Sequence, residues 1–351
     1  MKLSRRTVGA AIVLVIILVA GFTAVSRPAL HLGNLVASPS PKPVVRPAAT
    51  KAVPLESVQI PALRSRPYTS SPLIVTQDLG DQGGYHETVS SFQSDGLTEY
   101  ALVSTPNGRP PVGGWPVIIL AHGYIDPFKY QTAGANYASF INELARAGYM
   151  VIKPDYRGHG LSQGTAQGGH FSPVYAYDVL NLIETIKKYP PANPTRIGLL
   201  GHSMGGHVAL RTIVVSKDIK ATVFMAGVVG SMNDIINNWP RSPLRRDQPS
   251  AVVQGAKRAL LAKYGTPEAN PAFWDSASAI NFVSAVKGPV QINQDVGDGL
   301  VPTLFSDHLA AALRAQQKPV EYFQYPGDDH QFIRNHALLM QRILAFYARN
   351  L

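Results

Sequence analysis

Residues 196–210 read RIGLLGHSMGGHVAL, and the rest of the chain takes its meaning from them. Residues 196–200 form a short continuous apolar run, which predicts a strand buried on both faces. Residues 205–216 predict a helix. Between the two, Gly201, Ser203 and Gly205 match G-x-S-x-G. That motif requires a tight strand-to-helix turn that exposes the serine at the strand's C-terminal edge. The glycines let neighbouring backbone approach without a Cβ clash. The helix N-terminus then aims free N–H groups and the positive end of its dipole at negative charge forming beside the serine. In this setting Ser203 is a candidate nucleophile.

On either side, strands and helices alternate. Residues 85–91 and 98–104 alternate in polarity around Ser94-Asp95-Gly96, which predicts an antiparallel hairpin. Residues 115–121 and 149–154 read as buried strands, with a helix over 138–147 that stops at Gly148. An amphipathic helix over 174–189 ends at Pro190-Pro191. Residues 221–226 give a fourth buried strand, and 289–294 and 320–325 two more, with helices over 304–315 and 332–347. Residues 231–279 lack strand signals and read as an insertion, or cap, after the fourth parallel strand. The alternation argues for an α/β fold, a mostly parallel sheet with helices on both faces, opened by an antiparallel pair.

A serine hydroxyl needs a base, and the base needs an orienting carboxylate. Downstream of Ser203 lie His207, His308, His330 and His336. His207 follows four residues along the same helix and would point away. His308 belongs to a helix before the last strand, and His336 reads as packed or solvated. His330, in the PGDDHQ loop of residues 326–331, shares the sheet edge with Ser203 and is the favoured base. For the acid, QINQDVGDGLVP (291–302) offers Asp295 or Asp298. The strand ends near Gln294, so Asp298 in the loop beyond is favoured, and Asp295 reads as a turn residue. Backbone N–H groups of Met204 and Tyr124 are the candidate oxyanion donors, with the Tyr124 hydroxyl as a weaker third. His122 reads as fixing its loop. Asp155 and Arg157 read as bracing the elbow. Trp239, Phe273 and Trp274 are candidates for the apolar lining of a pocket, with core packing as the alternative. No HExxH, P-loop or dinucleotide fingerprint is present, so neither a cofactor nor a metal is implied.

Taken in order, SDGL (94–97), AHGY (121–124), PDYRGHGLSQG (154–164), GHSMGG (201–206), YGTPEANPAFWDSASAI (264–280), GDGLVP (297–302) and GDDH (327–330) resemble the α/β-hydrolase superfamily. More narrowly they resemble the catalytic domain of the prolyl oligopeptidase family, over residues 85–351. The resemblance implies an α/β-hydrolase fold and a serine hydrolase that cleaves peptide, amide or ester bonds through an acyl-enzyme. Ser203 would be the nucleophile, His330 the base and Asp298 the orienting acid, with a small peptide or ester as substrate. Carboxylesterases share the elbow and remain an alternative; a non-catalytic binding module is a more distant one. Large members of the family carry a β-propeller that screens out folded substrates. In this chain that selection would fall to the 231–279 insertion or be absent.

The chain has 351 residues, 45% of them hydrophobic and 15% charged, enough to bury a large core. It has no cysteine, which excludes a disulfide framework, a Cys-ligated zinc site and a thiol nucleophile. The formal charge is +10, but nine of the 32 Lys and Arg and one of the 22 Asp and Glu lie in residues 1–72. The remainder is nearly neutral, so nucleic acid is not expected as a partner. Arg241, Arg245 and Arg246 form the one dense basic cluster there and read as a solvated loop. Residues 7–26 are uncharged and follow Lys2, Arg5 and Arg6. That pattern predicts a membrane element over 1–27 with the domain beyond it on the extracytoplasmic side. Its length favours an uncleaved anchor over a signal peptide cut near Ala24-Val25-Ser26, which would release a secreted protein; a twin-arginine signal at residues 4–8 is a weaker reading. Residues 28–72 hold nine prolines and read as a mobile tether, with the catalytic domain over 73–351.

Overall fold

A computed structural model describes residues 53–167, 169–239 and 251–351. The 7–26 segment, the tether up to residue 52 and the Arg241, Arg245 and Arg246 cluster lie outside the described residues. Among those described, no helix is long and apolar enough to cross a membrane.

In chain order the elements are α1 (Ile60–Ser65), β1 (Ile74–Asp81), β2 (Tyr85–Ser94), β3 (Leu97–Pro106), β4 (Trp115–Ala121), α2 (Ala138–Arg146), β5 (Met150–Pro154) and α3 (Val174–Ile186). They continue with β6 (Ala192–His202), α4 (Met204–Val215), β7 (Ile219–Met225), α5 (Met232–Asn237), α6 (Ala251–Tyr264), α7 (Pro271–Ala277), β8 (Val290–Asp295), α8 (Thr303–Ala315), β9 (Val320–Tyr325) and α9 (His336–Asn350). The strands form one sheet in the order β1-β2-β3-β5-β4-β6-β7-β8-β9. β1, β2 and β3 pair antiparallel, as do β3 and β5. From β5 to β9 every pairing is parallel. This is the α/β-hydrolase fold. It places β6, the strand that leads into Ser203, near the middle of the sheet, with neighbours on both sides and both faces covered.

The double burial explains the unbroken apolar runs. Along β4, Val117 and Ile119 face one layer, together with α3 and α4. Ile118 and Leu120 face the other, against Phe140 and Leu144 of α2 and Met340 and Ile343 of α9. All four β4 side chains are fully buried. Each contributes about 1.5–3 kcal/mol by leaving water.

Two expectations change. The tether does not run to residue 72. Val58, Ile60 and Leu63 are buried in the core, and Arg64 donates to the Val214 carbonyl at the end of α4, at 2.8 and 3.0 Å. Thr69 N–H bonds Asn181 Oδ1 at 2.9 Å, and Ser71 N–H bonds Thr185 Oγ1 at 3.1 Å, both on α3. Proline content marks this stretch as extended, yet three well-placed apolar side chains are enough to dock it. The antiparallel part also gains β1, an edge strand whose residues are mostly exposed. The 231–279 insertion follows β7 and contains α5, α6 and α7.

Candidate active site

The elbow is built as its sequence requires. Ser203 takes φ 55° and ψ −121°, in the region that side chains rarely adopt, and three bonds hold it there. Its N–H donates to Met225 O at 3.0 Å, while its carbonyl accepts from Gly206 and Val228 N–H, each at 2.9 Å. Met204 opens α4, a position whose amide has no partner within a helix. Gly205 is obligatory, because a Cβ there would lie 1.9 Å from the Ala121 carbonyl oxygen. Gly123 is nearly as constrained, with a Cβ falling 3.1 Å from Ser203 Cβ and 2.9 Å from Tyr137 Oη. The loop after β4 therefore touches the serine only because it carries glycine.

His330 sits in the loop after β9, and Asp298 in the loop after β8. His330 Nδ1 and Asp298 Oδ2 are 2.7 Å apart, and the Asp298 side chain is inaccessible to solvent. The other carboxylate oxygen accepts from Leu300 N–H at 2.7 Å and Val301 N–H at 3.0 Å. Burial pushes the Asp298 carboxyl up, but the His330 ring and these two amides outweigh it and hold the group below the ordinary carboxylate range. Asp295 is the last residue of β8 and fully buried, and burial pushes its carboxyl up. Asp328 accepts from the amides of Asp329, Arg334 and Asn335, which folds the loop that presents His330. His308 pairs with Asp234 at 3.0 Å, and His336 with Glu143 at 2.6 Å. His207 is buried on α4 against His170.

A second set of bonds ties the same loops together. Tyr137 Oη accepts from Gly123 N–H at 2.7 Å and lies 2.7 Å from His202 Nδ1. His202 Nε2 lies 2.9 Å from the His330 carbonyl oxygen. Burial drives the His202 pKa down to about 3, so its ring is neutral. His122 bonds Gly123 O through Nδ1 at 2.8 Å and stacks on Tyr130. Asp155 and Arg157 are buried and do not line the cavity. Asp155 bonds Thr132 and the Leu161 amide, and Arg157 pairs with Asp178 and Asp95.

Ser203, Met204, Tyr124 and His330 open onto one cavity of about 810 Å³. No hydrogen bond joins Ser203 Oγ to His330 among the described residues, a distance that commonly tightens only when substrate binds. One flank of the cavity is apolar, formed by Phe171, Val228, Ile235, Trp239 and Val301. Lys257 lines it too, and no Asp or Glu does among the described residues. Trp239 donates from Nε1 to Leu300 O at 2.8 Å. Phe273 and Trp274 do not line the cavity. They are 6% and 1% exposed and belong to the core, with Phe273 stacked on Tyr264. Their helix α7 presents both rings inward, and hydrophobicity alone does not distinguish a cavity wall from the core behind it. The sequence reading also missed Tyr137, which joins the site through contacts 14 and 65 residues away. Among the described residues no group of three or more His, Asp or Glu side chains is placed to hold a metal ion.

A family model described as serine aminopeptidase, S33, matches residues 116–260, from β4 through the elbow into α6. The match and the sheet order agree on the α/β-hydrolase fold. The chain is 24% identical over 226 residues to dipeptidyl aminopeptidase BIII of Pseudoxanthomonas mexicana, covering 62% of this chain and 30% of that protein. Among solved structures it resembles Porphyromonas gingivalis dipeptidyl peptidase 4, with TM-score 0.58 and 21% identity, over 77% of this chain and 36% of that one. It also resembles an acetyl xylan esterase from Paenibacillus sp. R4, with TM-score 0.62 and 18% identity, over 87% of this chain and 97% of that one. The chain spans about 30% of the length of the first curated relatives it matches. The proteins it is similar to thus include peptidases and an esterase.

Proposed function

We propose that the protein is a serine hydrolase working through an acyl-enzyme on Ser203. The observation that carries this reading is the convergence of three loops on one cavity. They bring together Ser203 on its strained turn, the N-terminus of α4, and His330 with Asp298 at 2.7 Å behind it. Ser203 Oγ attacks the carbonyl carbon as His330 Nε2 takes its proton. Asp298, already ionised, holds Nδ1–H and stabilises the imidazolium. The oxyanion meets the amides of Met204 and Tyr124, each worth about 3–4 kcal/mol in such chemistry. His330 then protonates the leaving group, and water repeats the sequence to free the acid.

The cavity best fits an ester of an uncharged, apolar acyl group. Phe171, Val228, Ile235, Trp239 and Val301 give the cavity apolar surface, and a free α-ammonium pressed against it would lose hydration at a cost that an uncharged acyl group avoids. A peptidase of the prolyl oligopeptidase type is the second reading, favoured by the curated relative. On sequence grounds we place the domain outside the cytoplasm, held by residues 7–26; protease protection in spheroplasts would test that.

A fluorophosphonate probe should label the wild type and not Ser203→Ala; equal labelling would remove the serine mechanism. Activity should be greatest on p-nitrophenyl esters of uncharged acids. N-acetylated aminoacyl esters should be preferred at least tenfold to their free-amine counterparts. Faster turnover of free-amine dipeptidyl anilides would instead establish the peptidase reading.

A further inference from the structure

The bonds through His202 can be assigned a direction. The His330 carbonyl only accepts, so His202 Nε2 carries the proton. The ring is neutral, so Nδ1 is a bare acceptor, and the Tyr137 hydroxyl donates to it. That hydroxyl also accepts from Gly123 N–H. The result is a one-way chain, Gly123 N–H to Tyr137 O–H to His202 Nδ1, closed by His202 Nε2–H to His330 O. It links the loop after β4, the start of α2, the elbow and the loop after β9.

Each link occupies a costly position. His202 is 2% exposed, so an unmade bond on either nitrogen would leave a buried polar atom. Tyr137 takes φ 68° at the N-cap of α2 without being glycine. Such backbone strain persists only where surrounding structure enforces it. The hydroxyl accepts from Gly123 N–H and so fixes the His122–Gly123 peptide, one residue ahead of the Tyr124 amide, in the loop whose next peptide His122 Nδ1 holds through Gly123 O.

We infer that Tyr137 and His202 are positioning residues that lock the loop carrying the Tyr124 amide and the His330 loop into one register around Ser203. The pair touches neither the proton in flight nor the bond being broken. It fixes where the oxyanion donor and the base stand relative to the nucleophile. Because both bonds belong to one chain, losing either should release the same register. The inference rests on the serine-hydrolase reading above.

The test is kinetic. Tyr137→Phe removes one oxygen, and His202→Gln keeps a donor toward His330 while losing the acceptor toward Tyr137. Each should lower kcat roughly 10–100-fold on a p-nitrophenyl ester, as loss of an orienting partner does elsewhere, with KM changed less than threefold. The double variant should fall no further than the worse single one, the signature of a shared chain. If His202→Gln does not fold, Tyr137→Phe alone still decides. A kcat within twofold of wild type for Tyr137→Phe, or two losses that simply multiply, overturns the inference. Ser203→Ala separates the two failures: if it retains activity the serine reading has failed, and if it is inactive while Tyr137→Phe is normal only the positioning chain has failed.

Discussion

Replacing Asp298 with asparagine tests the site at its most constrained point. Leu300 and Val301 N–H groups, at 2.7 and 3.0 Å, bond one carboxylate oxygen. In Asp298→Asn that place must be taken by the amide oxygen, since an NH₂ there would face two donors. The NH₂ is therefore forced toward His330 Nδ1, which must become the bare acceptor. The ring proton moves to Nε2 and points at Ser203, so the base is lost. The charge is lost as well. At 2.7 Å and an effective dielectric constant of about 20, a carboxylate favours an imidazolium by about 6 kcal/mol. That equals roughly four decades in rate. kcat on a p-nitrophenyl ester should thus fall about 10⁴-fold. The two amide bonds survive, so the melting temperature should move by roughly 2–4 °C at most. Asp295→Asn, at the end of β8, should stay within about threefold of wild type. A loss of less than tenfold in Asp298→Asn, or an equal loss in Asp295→Asn, would refute the assignment of Asp298 as the orienting acid.

Three further outcomes follow from the packing. Gly123→Ala places a methyl 3.1 Å from Ser203 Cβ and should cut kcat about 100-fold while the melting temperature shifts only modestly; an unchanged kcat would mean that the loop yields. Phe273→Ala should cost about 3–5 kcal/mol in denaturant unfolding without altering KM, whereas Trp239→Ala should raise KM with a smaller loss of stability; the reverse pattern would return Phe273 to the cavity wall. Lys153 is fully buried on β5, and burial lowers its pKa from 10.5 to about 8. Between those values the unfolded chain holds the proton that the native one has lost, so native stability rises with pH across that window. Measured against Lys153→Met, wild type should gain up to about 3 kcal/mol between pH 8 and 10.5; parallel stability curves would refute the assignment.

How much was legible in the sequence depended on how local the cause was. The strand, turn and helix around Ser203 lie within a few residues of one another, and their glycines record steric limits directly. His330 and Asp298 were legible because each lies just past a strand end in a parallel sheet, where the edge itself brings distant loops together. β1 was not legible: its residues are mostly exposed and its pairing carries two register shifts, so no period-two pattern survives. The stretch from 53 to 72 was hidden by its prolines, whose composition outweighed the three apolar residues that dock it. The Tyr137–His202 chain joins side chains 65 residues apart, and neither tyrosine nor histidine announces such a partner.

The docked segment ahead of β1 also gives the domain a load path. α1 packs on α4, and Arg64 grips the Val214 carbonyl near the end of α4, the helix whose first turn follows Ser203. Tension entering the domain at residue 53 therefore meets a central helix, flanked by the sheet, before it meets the edge strand. Pulled from that side, the domain would resist as a block rather than unzip from β1, and the same helix that orients the nucleophile would bear the strain.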